Sequence, residues 1–122
     1  YNSWPLMGSN YFPDDNKYFS LFKLSAFSDP SLVQFMHRNL AYIILIFYLF
    51  LVFKIYSNKL VNLYFSINLL GTLLFIQIIL GILTLIYGAQ IYLASMHQVS
   101  SIFLVSSSVY FLYLNSNQQL SN

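Results

Sequence analysis

Apolar residues fill most of this chain in three long runs, roughly Ser31–Tyr56, Leu60–Tyr87 and Ile91–Leu114. A helix rises about 1.5 Å per residue, so about 20 residues cross the hydrocarbon core of a bilayer. All three runs reach that length, and the pattern predicts three transmembrane helices. Asp29 followed by Pro30 marks the start of the first. An aspartate N-cap accepts from first-turn amides, and a proline in the first helical position gives up no hydrogen bond. Ser57-Asn58-Lys59 and Gly88-Ala89-Gln90 separate the spans, and turns this short force antiparallel neighbours. The expected fold is an all-α transmembrane bundle of three helices with a polar tail over 116–122. Ahead of it, residues 1–29 mix Trp4, Tyr11, Phe12, Tyr18, Phe19, Phe22 and Phe27 with polar groups, the composition of a headgroup-level loop. Tyr18, Leu21 and Phe22 have helical spacing and predict a short surface helix within it.

Composition agrees with a lipid setting. The chain is 58% hydrophobic and 7% charged, with a mean hydropathy of +0.66, whereas a soluble domain carries about a quarter charged residues. The charges are also segregated, since no charged residue lies between Leu60 and Asn122. A net charge of +2 from five basic and three acidic residues is too small for a phosphate-tracking surface, so nucleic acid is not an expected partner. With no cysteine, disulfides, thiolate metal sites and iron–sulfur ligation are excluded, and metal chemistry would have to come through histidine. Lys54 and Lys59 beside the first turn lean that turn toward the cytoplasm or matrix, against Lys17, Lys23 and Arg38 on the opposite side. The start at Tyr1, with no basic segment leading into a short apolar one, predicts no signal peptide and a trimmed or partial chain.

The two histidines carry the most information. His37 lies seven residues beyond Pro30 and His97 nine residues beyond Gly88, and an even number of crossings separates these two entry points. The rings are therefore expected at nearly equal depth on helices running the same way, the geometry of a bis-histidine haem within a bundle. The other reading is that each ring only hydrogen-bonds a neighbouring Ser, Tyr or Gln. Inside a bilayer an ionisable residue is costly and by default functional, and two His without further ligands make an incomplete site for a bare metal ion.

Arg38 either snorkels to headgroups or neutralises a haem propionate. Gln34, one turn before His37, and Gln98, beside His97, either orient an imidazole or bind propionate, or else bridge helices. The small and polar residues Asn68, Gly71, Thr72, Gln77, Gly81 and Thr84 of the second span fit close helix packing or a flat macrocycle. Ser100, Ser101, Ser106, Ser107 and Ser108 carry the same ambiguity. Met36 and Met96 each precede a His and so point elsewhere on their helices.

Four motifs in order carry a resemblance: Asn2-Ser3-Trp4-Pro5-Leu6-Met7-Gly8 with Pro13-Asp14-Asp15, Gln34-Phe35-x-His37-Arg38-x-x-Ala41, Gln77-x-x-x-Gly81-Ile82-x-Thr84-Leu85, and Leu93-Ala94-x-x-His97-Gln98. Together they resemble the second half of the heme A synthase family, membrane enzymes that make haem A from haem O, over Tyr1 to about Tyr113. The resemblance implies two similar four-helix halves with a pair of His in each. It implies haem B held through His37 and His97 in this half, and oxidation of a haem methyl to a formyl group in the companion half, where haem O is the substrate. It also implies an outer, periplasmic or intermembrane-space position for the first loop and both His, in a bacterial cytoplasmic or mitochondrial inner membrane. A homo-oligomer or a haem O synthase are the protein partners considered. The chain lacks the first half and the helix preceding the Asn-Ser-Trp-Pro-Leu loop, so it is expected to carry the cofactor half alone. The competing readings are a b-type cytochrome anchor subunit of a respiratory complex and a haem-free membrane assembly subunit.

Overall fold

The computed structural model describes the backbone of residues 1–120 and side chains through Asn117. It is all-helical, with α1 over Pro30–Ser57, α2 over Tyr64–Ile86 and α3 over Ile91–Leu120. Each contains a stretch long and apolar enough to cross a bilayer, and the chain is an integral membrane protein. The Asp29 carboxylate accepts from the amides of Ser31 at 2.9 Å and Leu32 at 3.1 Å, capping α1 where the Asp-Pro pair predicts it.

The other boundaries depart from the hydropathy pattern for local reasons. Lys59 closes α1 in the left-handed region, at φ 53°, while the Leu60 amide returns to the Ile55 carbonyl at 3.0 Å. That reversal, with no side-chain cap behind it, leaves a 3₁₀ turn over Val61–Leu63, so α2 begins at Tyr64 and not at Leu60. The expected surface helix is two 3₁₀ turns, Tyr18–Phe22 and Leu24–Ser28, divided by the extended backbone of Lys23. The third span was expected to end at Leu114, yet α3 runs on to Leu120. The polar residues there hold no proline or glycine to stop it. The last two residues of the expected polar tail lie outside the described residues.

Two apolar clusters fix the helices. At the end bearing the first turn, Ile55, Leu63, Ile67, Leu70 and Phe111 are buried together, with Tyr48, Leu51 and Val52 of α1 packed against them. There the Tyr48 hydroxyl donates to the Ile67 carbonyl at 3.2 Å, over Gly71, where any Cβ would overlap that hydroxyl. At the other end Phe12, Ala26 and Leu32 pin the first loop to α1 with help from Leu21, Phe35 and Met36. Phe12 stacks on Tyr18 at 4.2 Å and meets the edge of Phe35 at 5.1 Å. Within the loop the Asp14 carboxylate accepts from the Ser9 amide at 2.9 Å and the Asn10 side chain at 2.6 Å. These bonds, the Ser9 amide first, hold its carboxyl below the ordinary carboxylate value. Between the two clusters α1 stands off from α2 and α3, and a cavity opens there.

Candidate functional site

The cavity has a volume of about 580 Å³ and is bounded by Leu40, Ala41 and Ile44 of α1, by Leu74, Ile78 and Ile82 of α2, and by Leu104 of α3. That volume lies within the range of about 300–1,000 Å³ that takes cofactors and small molecules. Its rim toward the first loop is made by Tyr1, Asn2 and Trp4 on one side and by the Gly88-Ala89 turn on the other. Both histidines face into it. The His37 and His97 rings stand 6.3 Å apart, centre to centre, and nearly perpendicular at 78°. Equal depth on α1 and α3, argued from crossings alone, thus corresponds to two rings that face one another across the gap.

The rings differ in their surroundings. His97 is partly buried against α2, where the nearest ring atom, Cε1, stands 3.0 Å from the place a Cβ on Gly81 would occupy. Only a residue without a side chain lets α2 pass so close to the imidazole. Four residues earlier on the same face, the Gln77 side-chain amide donates to the His97 carbonyl at 3.1 Å and lies 3.4 Å from its Nε2. The Ser100 hydroxyl donates to the other end of that amide. Gln77 therefore fixes the amide orientation and ties α2 to the turn bearing His97. The His97 Nδ1 is buried with no hydrogen-bond partner. His37 has no such holder and presents an exposed ring to the cavity.

Of the remaining predicted site residues, the structure brings some to the cavity and leaves others out. Gln34 lines it, but its side chain is taken up by the start of the loop, donating to the Tyr1 carbonyl at 2.8 Å. Gln98 is exposed and does not line the cavity. One residue past His97 it is rotated by about 100°, since 3.6 residues make a turn, and the structure does not bring it to the cavity with the histidines. Arg38 lines the cavity yet is only 9% exposed, so it does not snorkel. Its guanidinium donates to the carbonyls of Ser3 at 2.8 Å, Leu6 at 3.2 Å and Pro5 at 3.3 Å, and its Nε is buried without a partner. The sequence left Gln77 and Gly81 open between close helix packing and the approach of a flat macrocycle. Their spacing of four, one helical turn, is the signal that puts both on one face of α2. The contribution of Tyr1, Asn2 and Trp4 to the rim had no periodic signal at all.

Residues 1–109 match the COX15-CtaA family, described as cytochrome oxidase assembly protein. The chain belongs to this family. Among curated relatives it is 45% identical to a heme A synthase of Pelagibacter ubique over 121 residues, which is 96% of this chain and 34% of the relative. It is 38% identical to a heme A synthase of Rickettsia prowazekii, covering 95% of this chain and 35% of the relative. A heme A synthase of Rickettsia bellii is 42% identical over 122 residues. The chain thus spans about a third of the length of the curated relatives it matches. No solved structure matches.

For a member of the COX15-CtaA family the donor set fits a haem. A bare divalent ion asks for about four ligands, and no group of three or more His, Cys, Asp or Glu comes together among the described residues. A macrocycle brings four equatorial nitrogens and asks the protein only for axial donors. The unpaired Nδ1 of His97, the glycine under its ring and the apolar walls are consistent with a cavity shaped for a flat, largely apolar group.

Proposed function

We propose that this chain is the haem-B-binding part of a heme A synthase, the second half of an enzyme that oxidises a methyl group of haem O to the formyl group of haem A for cytochrome oxidase. The observation that carries the reading is the pair of imidazoles, His37 and His97, 6.3 Å apart across an apolar cavity. The heme A synthases among the relatives support haem chemistry over a haem-free assembly role and favour this enzyme over a general b-type anchor. His37 from α1 and His97 from α3 are the residues that would hold the haem iron. Gln77 fixes the turn of α3 that carries His97, and Gly81 leaves room for its ring. Bound there, the haem would supply a one-electron couple for electron transfer to the companion part. With both histidines assigned to the iron, the methyl oxidation would be carried out in that companion part, where haem O would bind. On this reading the loop end of the bundle faces the periplasm or the intermembrane space.

The test is spectroscopic and belongs in the full-length protein. His37→Ala and His97→Ala should each abolish the same low-spin haem B signal or convert it to high spin, because a six-coordinate iron loses an axial ligand either way. Expression and membrane insertion are checked alongside. Retention of a fully low-spin spectrum at normal haem content by either variant overturns the assignment of that ring.

A further inference from the structure

The mouth of the cavity is closed on one side by a stretch of irregular chain, and the only buried charged side chain among the described residues is spent on it. Arg38 sits one residue past His37, about 1.5 Å further along α1, with its head turned into the Ser3–Leu6 segment. Three backbone carbonyls of that segment accept from it, at 2.8 to 3.3 Å. These carbonyls have no helix or sheet to satisfy them, and a guanidinium fork is the side chain that can engage several at once. The segment is also braced from within. The Ser3 hydroxyl donates to the Leu6 carbonyl at 2.9 Å and accepts from the Gly8 amide at 3.3 Å. Met7 next to it is 1% exposed. The same segment supplies Trp4 to the cavity rim, where it is joined by Asn2, the residue just before it, and Asn2 reaches within 3.5 Å of the place a Cβ on Gly88 would occupy in the opposite turn.

We propose that Arg38 is a positioning residue that clamps the Ser3–Leu6 segment as a cover over the cavity, and that it governs entry to and escape from the site through this cover. Its effect on the bound group then runs through the loop, without contact to a carboxylate of the ligand. The consequence for the bound group rests on the proposed haem reading, whereas the clamp itself does not. The adjacency of His37 and Arg38 gives the arrangement its logic. One helical turn holds both the ligating ring and the latch over it, so a shift of α1 moves both together.

The experiment uses the full-length protein with other reactive cysteines removed and one reporter at a time, Met7→Cys in the cover or Ala41→Cys in the cavity wall. Labelling by a membrane-impermeant maleimide is timed without and with haem. Arg38→Lys keeps the charge but cannot fork onto three carbonyls, and it should speed labelling of both reporters about tenfold, the factor expected for losing part of a charge-assisted cluster. Ser3→Ala loosens the cover from within and leaves the guanidinium intact, so it should act in the same direction. Where haem is bound, both variants should release it to an excess of a soluble haem-binding protein about tenfold faster as well. Unchanged labelling of Met7→Cys in both variants overturns the clamp. Faster labelling of Met7→Cys with unchanged labelling of Ala41→Cys overturns the cover. An effect of Arg38→Lys on haem release that Ser3→Ala lacks favours direct contact with the ligand and also overturns the proposal. Should the wild-type protein hold no haem, the functional reading fails, and the two labelling rates still decide the clamp.

Discussion

His37 and His97 are the same residue type in the same cavity, but one is held and the other is not. His97 is tied to α2 by Gln77 and lies over Gly81, while His37 has no hydrogen-bond partner among the described residues. On the proposed haem reading, the difference would make His97 the preset donor and His37 the ring that adjusts. Removing the holder should therefore weaken binding without removing a ligand. Gln77→Leu is expected to lower haem affinity by about 10–100-fold, the usual cost of deleting a partner that orients a metal ligand, with a low-spin spectrum still reached at saturating haem. Gly81→Leu should act through the ring itself, since a Cβ already stands 3.0 Å from Cε1 and the larger side chain fills the space that the imidazole occupies. Titration of haem into the apoprotein, followed by its absorption spectrum, checks both. Equal affinity for wild type and Gln77→Leu would show the contact with His97 to be packing only. The histidines themselves were legible from depth and crossing parity, because those follow from helix rise alone. Their holder was not, because a contact between α2 and α3 across 20 residues leaves no local trace in either segment. Arg38 shows the same limit: sequence supplied two partners for a buried cation, headgroup or propionate, and the observed partners are carbonyls 32 to 35 residues away.

At the scale of elements, the long spans were legible and their ends only partly so. Hydropathy marks the stretch a helix can place in lipid, but hydrogen bonding decides where it starts and stops. The Asp29-Pro30 cap was readable because its chemistry is local. The delayed start of α2 follows from the left-handed Lys59, and the extension of α3 from the lack of a breaker. Helix pairing rests on similar small-scale detail. In lipid there is little hydrophobic drive between helices, so close contact depends on small residues and interhelical hydrogen bonds. Tyr48 and Gly71 provide such a contact between α1 and α2. A methyl at Gly71 would meet the Tyr48 hydroxyl, and Gly71→Ala is expected to destabilise the bundle by about 1–3 kcal/mol through overpacking. Tyr48→Phe should cost about 0.5–1.5 kcal/mol for the lost bond to the Ile67 carbonyl. Because the two residues share one contact, their effects should not add. With Tyr48→Ala in the background, Gly71→Ala should cost almost nothing further. Unfolding in detergent, scored by protection of the single variants and the pair, measures this, and additive effects would place the strain elsewhere.

At the scale of the whole molecule, α2 and α3 form a packed pair, and α1 joins them at the first-turn end while the loop pins its other end. This leaves an opening between α1 and the pair, lined by both histidines. Much of the outer helix surface stays apolar and exposed, including Phe47, Phe53, Ile102 and Val105, as expected of faces that meet lipid or further protein. Three crossings have a plain consequence. A helix must satisfy its backbone internally to stand in hydrocarbon, and α1, α2 and α3 do so over their full apolar lengths. The turn at Asn58–Leu60 and the far end of α3 should then share one side of the membrane, with the first loop and the Gly88-Ala89 turn on the other. Cysteines at Ser9, Asn58 and Ser116 report this, since all three positions are exposed. An impermeant reagent applied to intact cells or sealed vesicles should label Ser9→Cys from one side, and Asn58→Cys and Ser116→Cys only from the opposite side. The pairing of Asn58 with Ser116 is the sharper half of the test, because a third helix that re-enters without crossing would leave Ser116 with Ser9 instead. The site depends on the same arrangement: α1 and α3 run the same way only if α2 returns across the full bilayer, and only then do His37 and His97 meet at one depth. Labelling of Ser9→Cys and Ser116→Cys from the same side would therefore overturn the three-span arrangement and, with it, the shared cavity.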